Sequence, residues 1–397
     1  MRRTDIAIVG GGLAGSTAAA MLGRAGVSAV LIDPHEIYPA DFRCEKLDGS
    51  QVATLRKTGL ADAVLPAATH DGSVWIARFG RIVDRRPGDQ HGILYDTLVN
   101  TMRAAIPENV LRVVAKATAV STGQDRQVIT LSNGDEISAR LVIIANGLNS
   151  GFRHKLGMGR EDLSKCHSIM LGFDLVPVGR EQFSFRAMTY YAERASDRTA
   201  FITLFPVGAA VRANLSVYRD MDDPWLREFR QSPRETLLSL MPGLKQFTGE
   251  CDVPGPVKIR PADLYITTGH LQPGVVLVGD AFATSCPAAG TGTGKVFTDV
   301  ERLCNVHIPH WLATDGMGAE KIAAFYDDPV KKACDAQSLT KAYHLRSLSV
   351  DPGISWQAQR CARFMVRLGI GVLRQMHGRL SSDQAVAVGP ASHRRTA

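Results

Sequence analysis

Three glycine-bearing turns hold the residues of this 397-residue chain that could do chemistry. The first lies in IAIVGGGLAG, residues 6–15, where an apolar run meets Gly10, Gly12 and Gly15. Gly10 permits a tight turn, Gly12 lets a pyrophosphate approach the backbone, and Gly15 lets a helix pack closely on a strand. The phosphates then sit at a helix start, beside the free N–H groups around Leu13 and Ala14. Asp33 follows at the end of a second apolar run. A carboxylate there accepts hydrogen bonds from ribose hydroxyls and repels a 2′-phosphate, which fits FAD or NAD rather than NADP. The second turn is LVGDAFATSCPAAGTGTG, residues 277–294. Asp280 suits a sugar-like hydroxyl, Pro287 a rigid apolar wall, and the amides around Gly290, Gly292 and Thr293 an anionic ring or phosphate. The third, IIANGLNSGFR at 143–153, carries Asn146, Gly147 and Arg153 after another apolar run.

The elements that must position these turns are legible in the pattern. Residues 5–9 and 28–32 read as buried strands flanking a small-residue helix at 13–25, a βαβ unit of dinucleotide-binding length. Helices are expected at 46–59 and 92–105, with a hairpin between them. Residues 110–144 alternate around an Asn133-Gly134 turn and end in a buried strand. From 165 to 262 strand-like runs separated by Gly, Pro and Asp predict an antiparallel sheet, interrupted by a helix near 223–240. From 293 onward the pattern is helical.

The three turns, in this order and at these separations, resemble the group A flavoprotein monooxygenases, the para-hydroxybenzoate hydroxylase family. The family's central DG motif is represented by Asn146-Gly147 with Ser150 and Arg153, and its late GD motif by Gly279-Asp280. The stretch FRCEKLDGSQVATLRKTGL at 42–60 resembles the segment whose arginine reaches the flavin phosphates, which points to Arg43. Asn146, Tyr95, Ala283 and Gly294 depart from residues common at those places. The resemblance implies an α/β fold: a Rossmann-like FAD-binding domain with an inserted antiparallel-sheet substrate domain and a helical C-terminus. The FAD-binding parts are expected at 1–75, 92–164 and 265–330, a substrate-side hairpin at 76–91 and the substrate domain at 165–264. A helical region follows at 331–380, and 381–397 is expected to be a disordered tail.

It further implies non-covalent FAD, NADPH or NADH as reductant, and O2. Through a flavin C4a-hydroperoxide, one oxygen atom would hydroxylate or epoxidise an aromatic or polyketide-like small molecule. Phe173, Tyr190, Phe201, Phe205 and Tyr218 are candidate substrate-lining residues, although aromatics at strand spacing equally fit plain core. No catalytic acid or base is assigned. Lys295 fits a place near the ring or a solvated helix face. Competing readings are a geranylgeranyl-reductase-like enzyme, a flavin-dependent halogenase and a non-catalytic flavin-binding protein.

Composition bounds the remaining choices. Seven cysteines without a CxxC pair argue against a disulfide framework or a zinc site. The formal charge of +7 suits anionic ligands, but the basic residues are dispersed and carry no nucleic-acid motif. No apolar run reaches membrane-spanning length, and MRRTDIAIVGGG reads as a buried first strand rather than a signal peptide, so a cytoplasmic protein is expected. Residues 355–379, with arginines at 360, 363, 367, 374 and 379, could lie on a membrane surface. Packing against the fold is the favoured reading.

Overall fold

The computed structural model describes residues 1–387, with side chains for 1–371 and 373. Its first sheet runs in the order Leu111–Val114, Ala29–Asp33, Arg2–Val9, Glu136–Ile144, Gln127–Leu131, Ala117–Ser121, and Val275–Leu277 also pairs with Glu136–Ile144. The strands that carry the three turns are parallel neighbours, with Ile8 opposite Ile143 and Ile144 opposite Leu277. Such strands are buried on both faces, and the sequence shows why. Ile6 and Ile8 point into a core shared with Ala18, Ala19 and Leu22 of the helix Leu13–Arg24. Ala7 and Val9 point into the opposite core with Ile129, Ile137 and Phe152.

The second sheet runs Cys251–Asp252, Gly159–Pro177, Ala210–Val217, Thr199–Val207, Ala187–Tyr191, Ser73–Arg78, Arg81–Pro87, with Lys258–Thr268 also along Gly159–Pro177. It begins at Gly159, ahead of the expected 165, because Gly159 and Arg160 pair with Thr268 and Thr267. The hairpin formed by Ser73–Arg78 and Arg81–Pro87 joins by a parallel pairing, Ala187 opposite Val74. The sheet is therefore mixed at that edge. Two segments more than a hundred residues apart have no hairpin turn forcing them antiparallel.

Along Gly159–Pro177, Ile169, Leu171, Phe173 and Leu175 share one face by the two-residue period and pack against Leu226, Phe229 and Leu237. Those three belong to two helices, Pro224–Gln231 and Pro233–Leu240, where one helix was expected. Pro233 lacks an N–H to continue the first helix and opens the second. The other face turns toward the first sheet and the C-terminal helices.

Pro329–Val350 and Ile354–Ala387 close the fold. Phe364 and Leu368 pack on Val74, Ile76, Val83 and Phe205 of the second sheet. Ile354, Met365, Val366, Ile370 and Leu373 stay exposed. The helix runs through Ala387 into the expected tail; residues 388–397, and the side chains of Arg374 and Arg379, lie outside the described residues. No helix among the described residues is long and apolar enough to cross a membrane.

Candidate functional site

The carboxyl ends of the three parallel strands converge. Gly10 adopts φ +104°, and a Cβ there would stand 2.7 Å from the Ala145 carbonyl oxygen. A Cβ on Gly15 would collide with the Gly10 carbonyl. Both positions therefore require glycine, one for its backbone angle and both for lack of space. Ala145 donates to Val9 O at 2.8 Å and Val278 to Ile144 O at 3.1 Å, so the first, third and second turns stand side by side.

Asp33 braces the first turn from below. Its Oδ2 accepts the Gly11 N–H at 2.7 Å, and its Oδ1 meets Arg103 at 3.0 Å. Arg103, buried at the end of the helix Tyr95–Ala104, also donates to Gly11 O and to the carbonyls of His35 and Glu36. Sequence reading missed Arg103. No spacing rule links a helix C-terminus to a glycine loop ninety residues earlier; only the sheet does.

Arg43 joins the beginning of the chain to its late turn. Its Nε donates to Asp41 at 2.6 Å and its guanidinium to Asp280 Oδ2 at 3.2 Å, with the Tyr95 ring centre 5.7 Å away. Burial works against the Arg43 charge, but Tyr95, Asp280 and Asp41 outweigh it and hold the guanidinium above its ordinary value. Burial also pushes the Asp41 carboxyl up; ion pairs with Arg43 and Arg260 prevail and keep it below the usual range. The Tyr95 hydroxyl lies at the start of the first helix, on the Leu13 amide, and burial raises its pKa. The departure at position 95 thus places a neutral phenol among these groups. Arg153 holds the third turn together, donating to Asn146 Oδ1 at 2.9 Å and Gly147 O at 2.8 Å.

A buried charge network fixes the late turn. Gly279 N–H donates to Asp299 Oδ2 at 2.9 Å, and Asp299 Oδ1 meets Lys331 Nζ at 2.9 Å. Lys331 also reaches Asp335, which pairs with Lys295 at 3.2 Å. Lys295 is not a solvated helix lysine; it is buried and donates to Ala283 O at 2.7 Å. Gln51 Nε2 donates to Gly290 O at 2.8 Å, tying the helix Gly49–Lys57 to the loop that follows Pro287. Gly292 starts the helix Gly292–Arg302, with Thr293 in its first turn beside Cys44. Burial raises the Cys44 thiol and a hydrogen bond with Thr293 partly offsets this.

These residues fit a flavin dinucleotide. A Cβ on Gly12 would make only van der Waals contact, 3.9 Å from Tyr38 Cε2 and the Tyr95 hydroxyl, so nothing crowds that backbone. The buried Ser285 Oγ, two residues before Pro287, has no hydrogen-bond partner among the described residues. Two helix starts, an arginine and a carboxylate supply the donor and acceptor set that a pyrophosphate and sugar hydroxyls need. Asp33 has spare lone pairs, but its main structural duty is the loop.

The sheet's two faces divide the candidate aromatics. Phe173 stacks near Phe229 with ring centres 5.5 Å apart, and Tyr190 lies 6.2 Å from Phe247 and donates to Glu193. Both belong to the core behind the sheet, away from the converging turns. Residue parity along the strand sends them there. Phe201 and Tyr218 share a cluster with Cys286 and Ala288, on either side of Pro287. Phe205 faces Lys46 at 5.4 Å. On the same face Arg212 makes a bidentate pair with Glu45 at 2.8 and 2.9 Å. Burial pushes the Glu45 carboxyl up despite that pair. Burial also brings the Lys46 amine down to about 8. Neither Glu45 nor Lys46 announces itself in the sequence beyond lying near Arg43.

Parallel strands whose carboxyl ends carry GxGxxG, a facing carboxylate and a second glycine turn define a dinucleotide-binding domain. The chain belongs to the FAD binding domain family, which matches residues 3–306. It is an FAD-dependent oxidoreductase, of the group A flavoprotein monooxygenase type. The chain is 27% identical to the 3-demethoxyubiquinol 3-hydroxylase of Escherichia coli K12 over 323 residues, 76% of this chain and 79% of that protein. Its fold is similar to p-nitrophenol 4-monooxygenase PnpA from Pseudomonas putida DLL-E4, with TM-score 0.74, 16% identity and 99% and 100% of the two chains covered. It is also similar to aklavinone-11 hydroxylase in complex with FAD and aklavinone, with TM-score 0.71, 18% identity and 89% and 70% covered.

Proposed function

We propose that this chain uses NADPH or NADH and O2 to hydroxylate or epoxidise an aromatic or polyketide-like small molecule. The observation that carries this reading is the hydrogen bond between Arg43 and Asp280, which joins the arginine after the first βαβ unit to the late glycine turn. Relatives named as demethoxyubiquinol, p-nitrophenol and aklavinone oxygenating enzymes support a ring compound as substrate. When bound, FAD supplies the electron transfer and the activation of oxygen.

The chain's residues supply binding, orientation and a dry site. The amides of Leu13 and Ala14 with Arg43 would hold the pyrophosphate, Asp33 the ribose, and Asp280 a hydroxyl of the sugar-like chain. Pro287 would wall the ring, while amides at Gly292 and Thr293 offset negative charge on it. Phe201, Phe205 and Tyr218 would exclude water from the substrate side. Lys46 Nζ, next to Phe205, can hold or release a proton near neutral pH.

The test is anaerobic stopped-flow reduction of the FAD-loaded protein by each nicotinamide against a panel of phenols, quinols and polyketides. Reduction accelerated by one ring class, followed by oxygen uptake and an oxygenated product, is expected. Reduction of a substrate double bond without oxygen uptake would replace this reading with the reductase one. Arg43→Gln should weaken FAD binding about ten- to hundred-fold with the fold intact, measured by flavin fluorescence titration.

A further inference from the structure

A second concave site lies where the C-terminal helices cross the second sheet. Its wall carries Arg78, Arg194, Arg360, Arg363 and Arg367. None of these five forms an ion pair with a carboxylate among the described residues. Arg78 donates to the carbonyls of Ala192 and Glu193, and Arg360 to those of Leu348 and Asp351. Arg363 contacts His344, and Arg367 lies over the Tyr191 ring at 4.7 Å. By contrast Arg43, Arg103, Arg212 and Arg302 are each paired with a carboxylate. Burial and the neighbouring Arg360 pull the Arg78 guanidinium below its ordinary value. Like charges gathered at one cleft repel, and an anion relieves that repulsion.

Most of the rest of the wall is apolar, with Ile76, Val83, Leu345, Leu348 and Phe364, while Thr199 and Ser349 add hydroxyls. Two wall residues, Ala200 and Leu345, belong to the cluster that includes Tyr218 and flanks Pro287. The Tyr218 hydroxyl is buried beside Ser349 of the wall, whose own hydroxyl donates to Leu345 O at 2.7 Å.

We propose that this cleft is the outer half of the substrate pocket and binds an amphipathic anion, a carboxylate or phosphate head on an apolar body. The head lies against Arg360, Arg363 and Arg367, and the body points past Ser349 toward Tyr218. What the body meets rests on the flavin reading above; binding of the head does not.

Calorimetric titration of the FAD-loaded full-length protein with monomeric myristate and dodecyl phosphate tests this, with dodecyltrimethylammonium as the control. Both anions should bind and the cation should not. Arg363→Gln with Arg367→Gln, both exposed positions, should retain FAD and lose about a hundred-fold in affinity, about ten-fold for each charge-assisted contact. The corresponding double lysine variant should keep most of it. Ser349→Phe, which fills the cleft without changing charge, should also lose binding. Phosphatidylglycerol vesicles form a further arm. Binding to them that shares the arginine dependence names a lipid headgroup as the source of the anion. Binding to vesicles without binding of monomeric acid would overturn the cleft in favour of a membrane-facing helix. Equal affinity for the cationic amphiphile, or an unchanged double variant, would overturn it as well. Flavin reduction is followed separately: binding without reduction by either nicotinamide removes the monooxygenase reading and leaves the cleft standing.

Discussion

Replacing Lys331 by methionine should disturb the flavin site from behind. Lys331 and Asp299 are each 1% exposed and 2.9 Å apart, and Asp299 holds the Gly279 N–H. Methionine keeps nearly the same length and volume, so the change removes a charge and little packing. Asp335 keeps Lys295 as its partner, whereas Asp299 is left with a backbone donor and no cation. Stranding one member of a buried pair costs about 3–5 kcal/mol. Unfolding entropy of roughly 2 cal/mol/K per residue converts this into a melting-temperature loss of about 4–6 °C if the chain melts as one unit. Because Gly279 leads into Asp280, the FAD dissociation constant should rise in the same variant. Adding Asp299→Asn removes the stranded charge and should restore most of the melting temperature. Differential scanning calorimetry and flavin fluorescence titration read the two effects. A single variant with wild-type melting and wild-type FAD affinity would refute the role given to this network.

Gly15→Val should abolish FAD retention, seen as loss of the yellow flavin absorbance in the soluble fraction, because its Cβ has no room beside Gly10. Phe201→Leu should raise KM for substrate with FAD affinity unchanged, whereas Phe173→Leu should cost about 1 kcal/mol of stability and leave KM alone. Steady-state kinetics with urea unfolding separates the two faces, and equal KM changes would sink the assignment. Asp328 gives a pH signature. Burial opposes its charge, but Arg302, the Lys331 N–H and His307 hold the carboxyl down to about 2. Its folded pKa lies below the unfolded value of about 4, so its stabilisation is complete above that pH and fades as pH falls toward 2. Asp328→Asn should flatten the loss of melting temperature between pH 5 and 3, measured by thermal unfolding across that interval, to within about 1 pH unit of the carboxyl's folded value.

The glycine turns were legible from the chain because a backbone that must pass close to another backbone excludes every side chain, and that exclusion is written directly as residue type. Gly10, Gly15 and the apolar runs before them are local statements. So is the strand after Asn133-Gly134. The helix expected from residue 46 instead starts at Gly49, behind a capping box of Asp48 and Gln51, because Lys46 and Leu47 pair with Gly92 and His91. What needed the tertiary structure were partnerships across the fold. Arg103 under Gly11, Arg212 on Glu45 and Lys331 on Asp299 join residues 92, 167 and 32 positions apart. No local period records such pairs. The aromatic candidates divide for a related reason. Strand parity separates two faces in the sequence, but which face meets the flavin side is decided by what packs on each. Here the helices Pro224–Gln231 and Pro233–Leu240 took Phe173 and Tyr190, leaving Phe201 and Tyr218 beside the Pro287 loop and Phe205 under the last helix.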